Sequence, residues 1–173
     1  AGKIPFVSTF AIFGSGRAWE QIRNTLAVGK LNVKVVVTHG GISVGPDGVS
    51  HQSLEDISLM RSIPEMTVLV PCDAPEAVAA IRAAAQINGP VYVRLGRPKV
   101  PTIWEGAEFS IGKAQLVQEG ESVTMVACGI MVNEALKAIE ILKKKGVTVD
   151  LINMGTIKPL DEDMLLTSVQ KTG

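Results

Sequence analysis

His39 and His51 are the only histidines in this 173-residue chain, and both fall in one glycine-rich stretch running from Thr38 to Gln52. Imidazole titrates near neutral pH, so it suits proton transfer and hydrogen bonding to hydroxyl groups. Asp47 stands between the two histidines, and Gly40, Gly41, Gly45 and Gly48 allow turns and close main-chain approach that other residues resist. A zinc site wants three or four protein ligands, and no cysteine or third histidine lies nearby, so no metal is assigned to this pair. Two readings remain open from the residues alone: a satisfied structural pair, or contacts to a polar ligand at the end of a strand.

Two further groups of side chains could do chemistry. Phe10 and Phe13 stand three apart in a chain with four phenylalanines. They read either as packing between sheet and helix or as an aromatic wall for a flat heterocycle. Arg94 and Arg97 leave an apolar run with Gly96 between them. Arginine at a strand end can clamp a phosphate through its bidentate fork, and an ordinary surface ion pair is the plainer reading of each.

These groups need elements to hold them. Residues 4–13 read as a buried strand, and Trp19, Ile22, Leu26 and Val28 recur at helical spacing over 17–28. Residues 33–37 read as a strand covered on both faces, and the histidine loop follows directly. A helix is expected near 54–62 with Ser53 as its N-cap, then a strand over 67–70. Asp73 with Glu76 predicts a capping box that opens a helix to about Ile87, before a strand over 91–95. Residues 102–108 read as a linker. A second unit, 109–173, predicts strand 122–128, helix 132–145, strand 147–153 and helix 162–171. Lys143, Lys144 and Lys145 then act as cations at a helix C-terminus.

Alternation of strands and helices predicts an α/β fold with a parallel sheet and helices on both faces. In such sheets ligands sit beyond the carboxyl ends of the strands, where His39, Asp47, His51 and Arg97 converge. A second unit of two strands makes a thin core, so it is expected to lean on a partner or to continue beyond this sequence. The chain starts with Ala1 and stops just after a helix, which reads as a fragment.

Composition narrows the class. Lys plus Arg and Asp plus Glu balance at 17 each, which leaves no electrostatic footprint for nucleic acid or an anionic membrane. No apolar run reaches the roughly 18 residues of a membrane span. Cys72 and Cys128 sit in apolar runs, as expected of core thiols in a reducing, cytoplasmic setting.

The combined pattern resembles the transketolases, a thiamine-diphosphate enzyme family. Residues 8–13 with 17–23 are similar to the family's pyrimidine-binding domain, and the loop 38–52 resembles its histidine, glycine and aspartate loop. Ile63-Pro64, Thr67-Val68, residues 71–74 and the strand 91–97 match the passages that follow. Ile157-Lys158-Pro159-Leu160-Asp161 resembles part of the C-terminal domain. The resemblance implies a pyrimidine-binding domain over 1–101, incomplete at its N-terminus, and an incomplete C-terminal domain over 109–173.

By the same resemblance, Phe10 and Phe13 pack against the aminopyrimidine of thiamine diphosphate. His39 and Arg97 hold the phosphate end of a sugar phosphate, Asp47 recognises a hydroxyl beside the reacting carbon, and His51 serves proton transfer. The family's activating glutamate lies upstream of Ala1, and magnesium belongs to a diphosphate-binding domain or N-terminal subunit. The expected function is therefore part of a homo- or hetero-oligomeric transketolase, moving a two-carbon ketol unit between sugar phosphates and inactive alone. Gly14–Gly16, Gly41 and Pro46 depart from the usual family pattern. Alternatives are a deoxyxylulose-phosphate synthase, a 2-oxoacid dehydrogenase β subunit, or a non-catalytic assembly subunit. The first loop histidine separates transketolases from the two enzyme relatives.

Overall fold

The computed structural model describes residues 2–106 and 108–173. A five-stranded sheet dominates, with β1 (Phe6–Phe10), β2 (Lys34–Thr38), β3 (Thr67–Leu69), β4 (Val91–Arg94) and a late strand, Thr156–Lys158. Its order is β1-β2-β4-β3 followed by the late strand, and the first four strands are parallel. A three-stranded sheet holds β5 (Gln115–Gln118), β6 (Val123–Ala127) and β7 (Val149–Asn153), which makes the late strand β8.

Side-chain alternation along the strands builds a core on each face of the large sheet. On one face Val35, Val37, Val68 and Tyr92 pack with Ile22, Met60 and Ile63. Those last residues come from a helical stretch around α1 (Trp19–Gln21) and from α2 (Asp56–Ser62) with its following residue. On the other face Leu69, Val91 and Val93 pack against Ala80 and Ala84 of α3 (Ala74–Gln86). Each buried Val or Leu contributes on the order of 1.5–3 kcal/mol. The expected α/β fold, with helices on both faces of a parallel sheet, is what forms.

Lys34 shows how a cation enters this core. It is fully buried in β2, and its ammonium donates to Asn32 Oδ1 (2.6 Å), Ile87 O (2.9 Å) and Gly89 O (2.8 Å). The two main-chain carbonyls lie at and just past the end of α3, where a cation complements the helix dipole. Burial still pulls the Lys34 pKa below its ordinary value.

Three stretches and one capping interaction differ from expectation. The first strand stops at Phe10, not Phe13, because its ladder partner β2 ends at Thr38 opposite Phe10. The chain then winds into wide π-helical turns over Phe13–Arg17 and Ile22–Ala27 on either side of α1. Ser53 does not cap α2: it is buried, its carbonyl accepts from Gly41 N–H (2.8 Å), and the helix begins at Asp56 without a side-chain cap. Asp73 does cap α3, accepting from Glu76 N–H (2.9 Å), but the Glu76 carboxylate leaves the box for other partners.

The second unit is not a two-strand sheet. β5 and β8 were not anticipated, since their short, half-polar sequences show no clean period. β7, wholly buried, runs between β5 and β6, and α4 (Met131–Lys143) covers it through Val132, Ala135 and Ile139. Antiparallel pairing of β8 with β3 extends the first unit's sheet, and Gly129 N–H donates to Val70 O (3.1 Å). Cys72 of the first unit lies within the second unit's core, with Ile103 and Trp104 of the expected linker packed against it. The partner that the thin second unit leans on is thus the first unit. Helix α5 (Glu162–Thr172) closes the described chain, and among the described residues no helix is long and apolar enough to cross a membrane.

Candidate functional site

β1 and β2 end side by side, and this puts four rings in one cluster. Phe10 terminates β1, and His39 follows the last residue of β2. Their rings stack, with centroids 4.0 Å apart at 18°. Phe13, brought round by the first π-helical turn, lies nearly parallel to Phe10 at 6.0 Å. His51 sets its edge against both, 5.9 Å from Phe10 and 5.2 Å from Phe13. The Arg17 guanidinium stands 4.9 Å from the Phe13 centroid, a cation–π contact that sequence reading missed. Close packing allows the arrangement: a Cβ on Gly14 would come 2.9 Å from Val37 Cγ1.

Each imidazole has one nitrogen engaged locally. His39 Nδ1 lies 2.8 Å from Thr38 Oγ1, and His51 Nδ1 lies 2.9 Å from Ser50 Oγ. The Nε2 atoms have no hydrogen-bond partner among the described residues. Both histidines are half-buried, so they meet solvent without being free in it. His39 has a φ of 62°, a left-handed conformation that costs a non-glycine residue about 1–2 kcal/mol. The surrounding contacts must therefore hold it there.

The loop between the histidines is tied down at intervals. Gly40 N–H donates to Leu95 O (3.1 Å), Gly48 N–H to Gly45 O (3.3 Å) and His51 N–H to Gly48 O (3.0 Å). Residues 49–51 form a single 3₁₀ turn. Arg97, exposed beyond β4, reaches back so that Nη1 donates to Val44 O at 2.8 Å. Gly45 permits this approach, because a Cβ there would sit 2.1 Å from Nη1. Arg97 therefore braces the loop with one nitrogen. Asp47 is exposed in the turn between Gly45 and Gly48. Of the expected site residues, Phe10, Phe13, His39 and His51 touch one another. Arg97 joins the loop at Val44, and Asp47 stands out from it.

Beneath the loop lies a buried group of which sequence reading singled out only Arg94, and that without its partners. Arg94 Nε donates to Asp56 Oδ2 at 2.8 Å, and Tyr92 Oη donates to the same oxygen at 2.9 Å. The Arg94 side chain is 16% exposed and that of Asp56 is 1% exposed, so this is not the surface pair that spacing suggested. The other oxygen, Oδ1, is buried without a partner among the described residues. Burial and the Asp56 charge together push the Tyr92 phenol well above its ordinary value, so it stays a donor. Only the short Arg-Leu-Gly-Arg spacing hinted at Arg94, and nothing local paired it with Asp56, 38 positions away.

Comparison with known proteins bears on the family and the fold. A model of the transketolase pyrimidine binding domain matches residues 1–102, and one of the transketolase C-terminal domain matches residues 112–173. The chain is 45% identical over 173 residues to the 6-deoxy-6-sulfo-D-fructose transketolase subunit SqwH of Clostridium sp. (strain MSTE9), covering 99% of this chain and 54% of that protein. It is 37% identical to the transketolase of Homo sapiens, covering 98% of this chain and 27% of the human one. A solved structure described as a split gene transketolase, inactive beta4 tetramer, superposes with a TM-score of 0.93 at 46% identity. That match covers 99% of this chain and 56% of the other. The chain thus spans about half the length of the subunit-type relatives it matches. On these matches and the fold that carries the histidine loop, the chain belongs to the transketolase family.

Proposed function

We propose that this chain supplies one wall of a transketolase active site shared with a subunit or domain that binds the cofactor's diphosphate. The reaction moves a two-carbon ketol unit from a ketose phosphate to an aldose phosphate. The observation that carries the reading is the ring cluster of Phe10, Phe13, His39 and His51 at the ends of β1 and β2, with Arg97 on the same loop.

The residues present fit the flat pyrimidine of thiamine diphosphate. Phe13 and the rim of Phe10 form the aromatic surface, while one Phe10 face is covered by His39. When bound, the cofactor supplies the carbon chemistry, and this chain binds, orients and moves protons. His51 Nε2 faces a sugar hydroxyl or carbonyl oxygen and exchanges a proton with it. His39 Nε2 and the unengaged nitrogens of Arg97 hold the anionic end of the sugar, and Asp47 accepts from a hydroxyl. Among the described residues no three carboxylate, cysteine or histidine side chains converge on a metal site. In this reading magnesium falls to the partner, and the chain alone is inactive, as the split gene transketolase beta4 tetramer is described to be.

The test is a ketol-transfer assay of the chain alone and after assembly with a diphosphate-domain subunit. Activity is expected only in the assembly, with His51→Ala lowering kcat by on the order of 10²-fold and Arg97→Ala raising KM for the sugar phosphate. Transfer by the chain alone, or an assembly indifferent to His51, would overturn the proposal. A sugar sulfonate belongs in the same assay, because the Clostridium relative is named for a sulfo-sugar.

A further inference from the structure

The buried group under the histidine loop lies in direct contact with the loop's own backbone. Gly40 and Gly41 lie directly on the Arg94 guanidinium. A Cβ at Gly40 would sit 2.5 Å from Arg94 Nε and 2.7 Å from Cζ, and one at Gly41 would sit 3.2 Å from Nη2. The planar guanidinium is thus the surface against which the backbone after His39 turns. Its own position is set twice over, by the Asp56 carboxylate and, through that carboxylate, by the Tyr92 hydroxyl. Tyr92 and Arg94 are two apart on β4, so both point to one face of the sheet, the face on which α2 presents Asp56.

The loop above needs such a floor. His39 is left-handed, and two backbone bonds flank the turn: Gly40 N–H to Leu95 O and Gly41 N–H to Ser53 O. Those bonds fix where the strand end and the chain before α2 meet the loop. They leave the height of the Gly40–Gly41 segment over the sheet to whatever fills the space beneath, and Arg94 fills it.

We propose that Arg94 is a positioning residue of the histidine loop. Locked by Asp56 and Tyr92, its guanidinium holds the Gly40–Gly41 turn at the height that presents the His39 ring between Phe10 and the ligand. The consequence for catalysis rests on the role given to His39 above, whereas the positioning itself does not.

The experiment uses the full chain, free and assembled with its diphosphate-domain subunit. Ring ¹⁵N and ¹H resonances of both histidines are followed by NMR in Arg94→Ala and Arg94→Lys, with thermal midpoints measured alongside. Arg94→Lys keeps the charge but not the plane or the Nε–H donor, so it guards against a variant that fails to fold. Both variants are expected to move the His39 resonances and leave those of His51 in place. In the assembly, KM for the sugar phosphate rises by about tenfold with kcat nearly unchanged, the pattern of lost uniform binding. Equal shifts at both histidines, or none at either, would overturn the inference. So would a wild-type His39 spectrum in Arg94→Lys, because charge alone would then suffice. A displaced His39 with an unchanged KM upholds the positioning role and removes His39 from substrate binding instead.

Discussion

Two buried carboxylates, Asp56 on α2 and Glu76 on α3, come from helices on opposite faces of the large sheet and act by opposite means. Asp56 lies below the histidine loop and accepts from a cation, Arg94, and a phenol, Tyr92. Glu76 lies where the two units meet and has no cation beside it among the described residues. It accepts from Cys72 N–H (2.5 Å) and from Asn153 Nδ2 on β7 (2.8 Å). Asp56 organises a loop within one unit, and its charge is compensated. Glu76 ties β7 to the start of α3 with neutral donors, so its charge carries the full cost of burial. Burial accordingly raises its pKa, against the lowering effect of the bonds from Cys72 and Asn153. The difference teaches that burial alone does not assign a carboxylate its role; the partner does.

The comparison can be broken from either side. The largest effect is expected for Asp56→Ala, which strands the Arg94 charge in the interior. A loss of about 3–5 kcal/mol in urea unfolding follows from removing one partner of a buried pair, and the His39 resonances should shift with it. A cost below 1 kcal/mol would mean that solvent reaches Arg94 freely. Glu76→Ala comes next. It leaves the buried Cys72 N–H without its acceptor and the Asn153 amide with only its longer contacts to Cys72 Sγ (3.5 Å) and Gln115 Oε1 (3.4 Å), for about 2–3 kcal/mol, and should not disturb either histidine. Movement of His39 in that variant would erase the distinction between the two carboxylates.

The pH dependence sharpens the contrast. A raised native pKa means that the folded state holds the Glu76 proton more tightly. Its contribution is therefore greatest below about 4.5, the ordinary glutamate value, and declines as pH rises to the native one. The urea midpoint of the wild type relative to Glu76→Gln should fall on going from acid to neutral pH, and a flat difference would contradict this assignment. Asp150 behaves oppositely. Burial raises its pKa, but bonds from Lys171, Ser168 and Gly120 N–H and the Lys171 charge outweigh it, leaving the carboxyl below 3.8. Its contribution is full above 3.8 and is lost as pH falls through the native value. Asp150→Asn should therefore narrow the loss of stability in strong acid. The smallest effect is expected at the exposed Lys137–Glu134 pair on α4, where Glu134→Ala should leave the urea midpoint unchanged within error.

Much of the site was legible in the order of residues. Phe10, His39 and Arg97 were readable because each sits at or just past the end of a strand, and His51 because it closes the loop that follows β2; strand ends of a parallel sheet share one edge. Legibility failed where partners lie far apart in sequence. The wrong strand end at Phe13 reflects where the ladder partner β2 stops, whereas the wrong cap at Ser53 and the incomplete capping box at Glu76 share another cause. A local pattern was satisfied on paper, but a distant partner was available: Gly41 for Ser53, and Asn153 for Glu76.

The sequence by itself determined the alternation of apolar strands and helices, the glycine loop with its two imidazoles, and the charge balance that leaves no polyanion footprint. Those follow from local periodicity and residue chemistry, which act over a few positions. Only the tertiary structure decided that β8 completes the first unit's sheet, that His39 rests on Phe10, and that Arg94 under Gly40 answers to Asp56. These depend on contacts between segments whose separation no short-range pattern encodes, and on a buried charge that becomes affordable only when its partner has folded beside it.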